Sequence, residues 1–183
     1  MFRLIISLVF IFLLTGCSGL NAYYDYDGSV NFKPYKSYFF IGWGEETDKR
    51  LSDFEKQRYE GAVQKEMRKL GFELAGSAEE ADLVMSLVYN LDKRLRTRTN
   101  GTGYGGYRYD GWGAGVRSYS QTSYTYSYLH GTLYCDLYDQ KMKKLVWQGF
   151  VTGITSPDPQ KRKEIIPTAV KKMMMQYPPG KED

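Results

Sequence analysis

The chain has 183 residues, and its 25 Lys and Arg against 21 Asp and Glu leave a net charge of +4. So mild an excess of positive charge gives no support to nucleic-acid binding. The length favours one domain that can bury a core without disulfides, and only 2 Cys are present. Aromatic residues stand out instead, since 17 of the residues are Tyr.

The N-terminus predicts export followed by lipid attachment. A single early cation, Arg3, precedes an apolar run over residues 4–14, and the run ends in Leu14-Thr15-Gly16-Cys17. This is the pattern of a secretory signal that is cut in front of a cysteine. We therefore expect residues 1–16 to be a lipoprotein signal peptide and Cys17 to be the lipidated first residue of the mature chain.

Two alternatives to lipid attachment are an ordinary signal peptide and a membrane anchor with a chance cysteine. The apolar run is shorter than the roughly 20 residues of a membrane-spanning helix, and an ordinary cleavage site does not need a cysteine. Ser18 stands where an aspartate retains lipoproteins in the inner membrane of enteric bacteria. The sequence therefore predicts a lipid anchor in the outer membrane, with the protein facing the periplasm.

The mature chain is expected to hold a lipidated tether at 17–31 and a single domain at 32–177. Apolar alternation indicates strands, and a helical period together with capping residues indicates helices. Pro167 is expected either to kink the last helix or to mark its first turn. The predicted elements are a strand at 32–43, a helix that Ser52 and Glu55 cap and Gly71 ends, strands at 82–91, 124–138 and 144–154, and a helix at 160–176.

The same periods predict which residues face the core. In the first helix, Phe54 belongs to the apolar stripe, and in the last helix Ile166 is one of the inward residues. In the last strand, Trp147 and Val151 share one face while Val146 lies on the other.

Four strands and two amphipathic helices predict an α+β fold. We expect a two-layer sandwich, with an about four-stranded mixed sheet and both helices packed on one of its faces. Residues 99–118 interrupt the pattern, because seven of the 15 residues from 101 to 115 are glycine. Such a composition predicts a flexible Gly/Tyr-rich loop.

Aromatic residues supply a candidate contact surface. The strand at 124–138 places four tyrosines on one side, and the Gly/Tyr-rich loop adds three more aromatic residues. Tyrosine is enriched at protein interfaces, although cross-strand aromatic pairs or a second core face under the loop would explain the same pattern. The candidate contact residues are Tyr126, Tyr128, Tyr134, Tyr138, Tyr104, Tyr107 and Trp112.

Basic residues from Lys93 to Arg98 extend the strand that begins at 82. A run of this kind is most often a solvated edge. It could also contact anionic components of the envelope, such as lipid phosphate or wall carboxylates.

The sequence offers no catalytic, metal or cofactor site. His130 is the one histidine, so neither a zinc cluster nor a serine triad with its usual surroundings is present. Gly101 to Gly106 contains a G-x-G-x-x-G match, but more Gly and Tyr follow it, where a nucleotide fingerprint requires a helix. Cys135 lies in an apolar alternation and is expected to be a buried, inert thiol.

Several stretches together carry a family resemblance. They are the lipobox LTGC, the opening YDYDGSVNFKPYKSYFF, the strand entry ADLVMSLVY, the Gly/Tyr/Trp-rich middle and the closing GTLYCDLYDQKMKKLVWQGFVTG. With them the chain resembles the bacterial lipoproteins that contain domain of unknown function 4136, over nearly the whole mature chain. The resemblance implies an envelope lipoprotein of α+β fold. It carries over no catalytic residue, because the family has no established activity to attach to a position.

These observations favour a non-enzymatic binding or scaffolding module, held at a membrane by the lipid on Cys17 and contacting an envelope protein or glycan. The alternatives are a carrier of a hydrophobic ligand and an unrecognised envelope hydrolase. A large apolar cavity would favour the carrier, and a deep pocket with convergent carboxylates would favour the hydrolase. A filled core beside an exposed aromatic face would favour the binding module.

Overall fold

The computed structural model describes residues 19–48, 51–102 and 120–179. Six strands and three helices lie within these ranges. The strands are β1 (Asn21–Tyr26), β2 (Ser37–Trp43), β3 (Glu73–Leu74), β4 (Leu83–Thr102), β5 (Ser120–Asp139) and β6 (Lys144–Ile154). The helices are α1 (Glu45–Asp48), α2 (Asp53–Lys69) and α3 (Pro159–Met174).

The strands form one mixed sheet in the order β1-β6-β5-β4-β2-β3. In this order β1, β6, β5 and β4 are each antiparallel to the next strand, whereas β4, β2 and β3 run parallel to one another. The predicted α+β class with a mixed sheet is confirmed. The expected number of about four strands is wrong, because β1 and the two-residue β3 extend the sheet at its two edges.

Helix α2 begins and ends as its sequence predicts. The Glu55 carboxylate accepts hydrogen bonds from the Ser52 backbone N–H at 3.3 Å and from its hydroxyl at 2.9 Å. At the other end Gly71 has a φ of 87°, and the Phe72 N–H reaches back to the Met67 carbonyl at 3.0 Å. The left-handed conformation of Gly71 and the hydrogen bond from the Phe72 N–H to the Met67 carbonyl end the helix.

The core faces of the two long helices are largely those that periodicity predicts. Helix α3 buries Ile166, Ala169, Val170 and Met173 as expected, together with Met174. Helix α2 buries Tyr59, Val63 and Met67. The expectation for Phe54 is wrong, since this side chain is 74% exposed in the first turn of α2.

Proline 167 lies inside α3 rather than at its start. The helix begins at Pro159, and its N-cap residue Asp158 accepts a hydrogen bond from the Gln160 N–H at 2.9 Å. The alternative that placed Pro167 in the first turn is therefore wrong. Because Pro167 is exposed, the carbonyl that loses its helical partner can bond to water.

A continuous core fills the space between the helices and one face of the sheet. Alternate residues of β4 and β5 supply its centre, and each of them is at most 2% exposed: Leu83, Met85, Leu87, Leu133, Cys135 and Leu137. Trp147 of β6 is also fully buried. Burial raises the pKa of the Cys135 thiol well above its usual range, which agrees with an inert thiol.

Strand β6 contains an irregularity that simple alternation misses. Leu137 pairs with Trp147, but Tyr138 pairs with Leu145, so Val146 is an extra residue in the strand. A bulge of this kind turns a side chain away from its regular side. Val146 is consequently 1% exposed and joins the core together with Trp147, so the expectation that the two residues lie on opposite faces is wrong.

Part of the expected tether at 17–31 packs against the domain in the described residues. Asn21–Tyr26 pairs along its whole length with β6, and Leu20 is only 8% exposed. The Lys172 ammonium donates a hydrogen bond to the Leu20 carbonyl at 2.5 Å. The described chain is therefore attached to the domain from Leu20 onward.

Candidate docking surface

The sheet face that the helices leave open carries a stacked row of three aromatic rings. Tyr23 of β1 pairs with Phe150 of β6, and Phe150 pairs with Tyr134 of β5. The ring centroids lie 5.3 Å apart in the first pair and 5.5 Å in the second, both at an interplanar angle of 29°. Such pairs contribute roughly 0.5–1.5 kcal/mol beyond the area they bury. We call these three residues the aromatic row; its outer member, Tyr23, is 51% exposed.

Polar residues flank the aromatic row on both sides. On one side the Gln148 amide donates to the Asp136 carboxylate at 2.7 Å; burial raises the pKa of Asp136, and this bond only partly offsets the effect. On the other side the Thr132 hydroxyl donates to the Thr152 hydroxyl at 3.2 Å. The polar side chains beside the aromatic row are thus hydrogen-bonded to one another. The three rings are the apolar contact area between them.

His130 belongs to this polar surrounding. Its Nε2 lies 3.1 Å from the Thr152 hydroxyl. Burial first, and then the positive charge of Arg94, lower its pKa from the usual range. The ring is thus a hydrogen-bonded strand residue whose charged form is disfavoured.

Strands β4 and β5 continue beyond the rest of the sheet as a two-stranded ribbon. The last pair that β5 makes with β6 is His130 with Ile154, whereas its pairing with β4 runs on to Ser120. We call the segments 91–102 and 120–130 the ribbon. Its described side chains from 92 to 99 and from 123 to 127 are all exposed.

One face of the ribbon alternates arginine with tyrosine across the two strands. Arg94 pairs with Tyr128, Arg96 with Tyr126 and Arg98 with Tyr124. Directly opposed residues of an antiparallel pair share a face, with Cβ atoms about 4.5–5.5 Å apart. We call this set the Arg–Tyr face: Arg94, Arg96, Arg98, Tyr124, Tyr126 and Tyr128.

The structure thus divides the predicted tyrosine stripe into two surfaces. Tyr134 lies in the aromatic row, and the half-buried Tyr138 packs nearby, opposite Val84 and Leu145. Tyr126 and Tyr128 lie on the ribbon. The remaining candidates fall outside the described residues: Cys17, Tyr104, Tyr107 and Trp112.

Residues that the sequence reasoning missed complete both surfaces. Tyr23 and Phe150 escaped notice because β1 was taken for tether and because stacking across strands depends on register. The three arginines belong to the basic run that the sequence shows. Their spacing of two residues was the signal that they lie on one face of a strand. Only the pairing with β5 shows that they share a face with tyrosines.

Among the described residues, a partly exposed charged pair joins the two long helices, with little space around it. The Arg162 Nε of α3 lies 2.8 Å from the Glu55 Oε1 of α2. Burial raises the pKa of Tyr59 nearby. The adjoining cavity measures about 30 Å³, room for one or two water molecules. This site ties the two helices together and is too small for a substrate.

Two further carboxylates fix the ends of strands. Asp82 accepts hydrogen bonds from the Lys36 and Ser37 backbone N–H groups, at 2.8 and 2.9 Å, and these hold its pKa below the usual range. Asp139 accepts from the Tyr35 hydroxyl at 2.6 Å; burial acts to raise its pKa, but the hydrogen bonds outweigh it and the pKa is lowered. Carboxylates held ionised in this way suit structural roles better than proton donation at neutral pH.

A groove of about 340 Å³ lies between α2 and the β2 edge of the sheet. Its size is at the lower end of ligand sites. It is open to solvent, and two of the side chains along it, Met85 and Leu87, have no exposed surface. The groove therefore does not lead into an empty interior.

Neither metal ligands nor a spanning helix is found in the described ranges. No three His, Cys, Asp or Glu side chains converge there as a metal site. None of the helices in 19–48, 51–102 and 120–179 is long and apolar enough to cross a membrane.

Comparison with solved structures gives the fold. A PDZ domain protein from Parabacteroides distasonis superposes with a TM-score of 0.57 at 16% identity, over 97% of this chain and 40% of that protein. The chain thus spans less than half of that relative. A DUF4136 family protein from Bacteroides thetaiotaomicron gives a TM-score of 0.55 at 15% identity, over 88% of this chain and 97% of the other. Identities this low support a shared fold alone.

Other comparisons add less. A PelC dodecamer from Paraburkholderia phytofirmans is more weakly similar, with a TM-score of 0.46 at 13% identity over 85% of this chain and 94% of that one. No curated protein matches the chain. The model of the family called domain of unknown function (DUF4136) matches residues 22–179, and the chain therefore belongs to this family, as its sequence resemblance predicted.

Proposed function

We propose that this protein is a lipid-anchored envelope lipoprotein that acts, without catalysis, as a binding or scaffolding module. The lipid on Cys17 would hold it in the outer membrane, facing the periplasm, where it contacts an envelope protein or glycan. The observation that carries the proposal is the aromatic row, whose inner members Tyr134 and Phe150 are half-buried and whose outer member Tyr23 is exposed, above a continuous core. A rigid sheet with projecting rings is a suitable docking platform, because aromatic side chains supply contact area at low entropic cost.

The alternatives find less support in the described residues. A hydrolase would need an acid and a base converging on a space for substrate, whereas Glu55 is paired with Arg162 and Asp82 and Asp139 are committed to strand ends. A carrier of a hydrophobic ligand would need an enclosed cavity. The groove beside α2 is one feature that favours a carrier, but it is open to solvent.

Lipid attachment is tested by substitution at position 17. In Cys17→Ser the sulfur that receives the diacylglyceryl group is absent, so the precursor is expected to stay uncleaved and to incorporate no labelled fatty acid. Normal processing and labelling of this variant would remove the anchor from the proposal. Density fractionation of the native protein tests its sorting, and recovery solely with inner-membrane markers would contradict the outer-membrane assignment.

Docking on the open face is tested by photo-crosslinking in intact cells. A photoreactive phenylalanine analogue replaces Tyr23, which is 51% exposed on the open face, or Phe54, which is 74% exposed on α2. Both sites are exposed aromatic positions, so Phe54 is a matched control. A discrete product from position 23 alone supports docking, whereas equal or absent products from both positions contradict it.

A further inference from the structure

The ribbon extends from the end of the sheet at which β1 begins. Asn21, the first residue of β1, pairs with Thr152, which pairs with Thr132 and through it with Asn90. The ribbon starts one residue beyond this row. The start of β1 and the base of the ribbon therefore lie at the same end of the strands.

The chain near this end is held tightly. Leu20 is 8% exposed, and its side chain packs against the backbone of Gly153. Cys17 precedes Leu20 by three residues, and an extended chain covers at most about 3.6 Å per residue. A lipid on Cys17 would thus keep Leu20 within roughly 11 Å of the membrane surface. The base of the ribbon on β5 lies two strands from β1, a further distance of roughly 10 Å.

The ribbon carries an unbalanced positive charge. Lys93, Arg94, Arg96 and Arg98 stand against a single carboxylate, Asp92, along segments 91–102 and 120–130. Within the part of the chain that the structure describes, no carboxylate lies within ion-pair distance of the three arginines. All three arginine side chains are exposed.

We propose that the Arg–Tyr face of the ribbon binds the phosphate headgroups of anionic lipids in the membrane that holds Cys17. This inference rests on the lipid anchor of the proposed function and assigns the ribbon, rather than the aromatic row, to the membrane.

The chemistry of the face fits this occupant. The planar fork of a guanidinium donates two parallel hydrogen bonds to a phosphate. The tyrosines opposite are amphipathic residues of the kind enriched at the level of lipid headgroups. Residues two apart on a strand are spaced by about 6.6 Å, so the three arginines present a row of donors about 13 Å long.

Position favours the membrane over other polyanions. The surface of an anionic membrane stabilises each nearby basic residue by about 1 kcal/mol, and this attraction acts only within roughly a Debye length of the surface. Attachment at Leu20 holds the ribbon's base beside the membrane in every anchored molecule, so only a short movement is needed to bring the ribbon into that range. A soluble acidic glycan would have to be captured from solution without this advantage.

The experiment uses the full lipidated protein, purified in detergent and reconstituted into vesicles. An environment-sensitive dye is attached to Tyr124→Cys, on the Arg–Tyr face, or to Thr125→Cys, on the opposite face of the same strand. Buried Cys135 does not compete for the dye, and Cys17 carries the lipid. Vesicles contain phosphatidylcholine alone or with phosphatidylglycerol.

We expect the dye at position 124 to move to a less polar environment only with phosphatidylglycerol, and the dye at 125 to change much less. Each substitution among Arg94→Gln, Arg96→Gln and Arg98→Gln is expected to lower the ratio of bound to unbound ribbon about fivefold, the equivalent of about 1 kcal/mol per basic residue. Lys93→Gln removes the same charge from the other face and is the matched control, with a smaller effect. High salt should abolish the response.

The outcomes separate the two proposals. Protein that does not float with vesicles refutes the anchor, and the ribbon proposal falls with it. Protein that floats while the dye at 124 ignores phosphatidylglycerol, or responds no more than the dye at 125, refutes the ribbon proposal alone. A response at 124 that appears only on addition of a soluble acidic polysaccharide would overturn it in favour of a glycan.

Discussion

Strands β4 and β5 pass through two different surroundings, and the two halves of β4 differ sharply in burial. From Leu83 to Tyr89 every second residue is buried, whereas from Asp92 to Thr99 every side chain is exposed. The backbone pairing with β5 is nevertheless regular in both halves, without a register shift. Pairing and burial are therefore separate properties of this strand pair.

The difference shows what each half is built to do. A two-stranded hairpin alone is only marginally stable in water, so the ribbon depends on its continuity with the six-stranded body. Since its side chains make little contribution to a core, they are available for contacts outside the molecule. The body, by contrast, fixes the positions of the aromatic row.

The largest expected effect comes from equal truncations in the two halves. Leu137→Ala in the body should cost about 2–5 kcal/mol, because it removes a fully buried side chain. Leu95→Ala on the ribbon should change stability by less than about 0.5 kcal/mol, since Leu95 is 73% exposed. Urea unfolding of both variants measures the difference. Comparable losses would mean that the ribbon is packed as part of the core.

The boundary between body and ribbon is sensitive to added volume. A Cβ at Gly131 would overlap the Tyr89 hydroxyl, and this ring is buried and packs against Tyr59 with centroids 5.7 Å apart. Gly131→Ala should therefore cost about 1–3 kcal/mol. Thermal unfolding checks the value.

Gly61→Ala supplies the control for that substitution. A Cβ at Gly61 meets nothing within 4 Å, and the residue lies inside α2. Alanine there should stabilise the protein by about 0.5–1 kcal/mol, since glycine is a poor helix former. A neutral result at Gly131 would show that Tyr89 can move.

A smaller and pH-dependent effect is expected at Asp82, which holds the start of β2. Asp82→Asn weakens its bonds to Lys36 and Ser37, and we expect a loss of about 1 kcal/mol at neutral pH. Because the pKa of Asp82 is lowered on folding, its contribution is complete above the unfolded pKa of about 3.9 and is lost as pH falls through the folded pKa.

Urea unfolding near neutral pH and below about pH 4 tests this sign. The difference between Asp82→Asn and the native chain should narrow in acid. Asp92→Asn removes a carboxylate from the exposed ribbon and should leave stability unchanged at neutral pH. A difference at Asp82 that stays constant with pH would contradict the assignment.

Local signals in the sequence were enough for the body of the fold. The cap residues Ser52 and Glu55 set the start of α2 and Gly71 sets its end, each through contacts between residues a few positions apart in the chain. Alternation identified the buried residues of β4 and β5 for the same reason. These features depend on neighbours that are close in sequence, and they were predictable.

Long-range pairing accounts for what was not predictable. Strand β1 exists because β6, more than a hundred residues later, offers it an edge, and the extra residue Val146 follows from the register with β5. The Arg–Tyr face has the same origin, since Arg96 and Tyr126 meet only through the pairing of two strands. No local pattern determines such a register.

The smallest expected effect concerns the segment that joins the two strands of the ribbon. Replacing residues 101–115 with a short Gly/Ser linker removes a glycine-rich stretch with little aliphatic surface. Halving a loop changes its closure cost by only about 0.6 kcal/mol, in favour of the shorter loop. The thermal midpoint should therefore stay level or rise slightly, in contrast to Leu137→Ala. If the replacement unfolds the domain, then Tyr104, Tyr107 and Trp112 cover the core. The distinction between an exposed ribbon that adds little stability and a packed body would then be wrong. If the domain survives but no longer yields the crosslinked product from position 23, the segment takes part in docking.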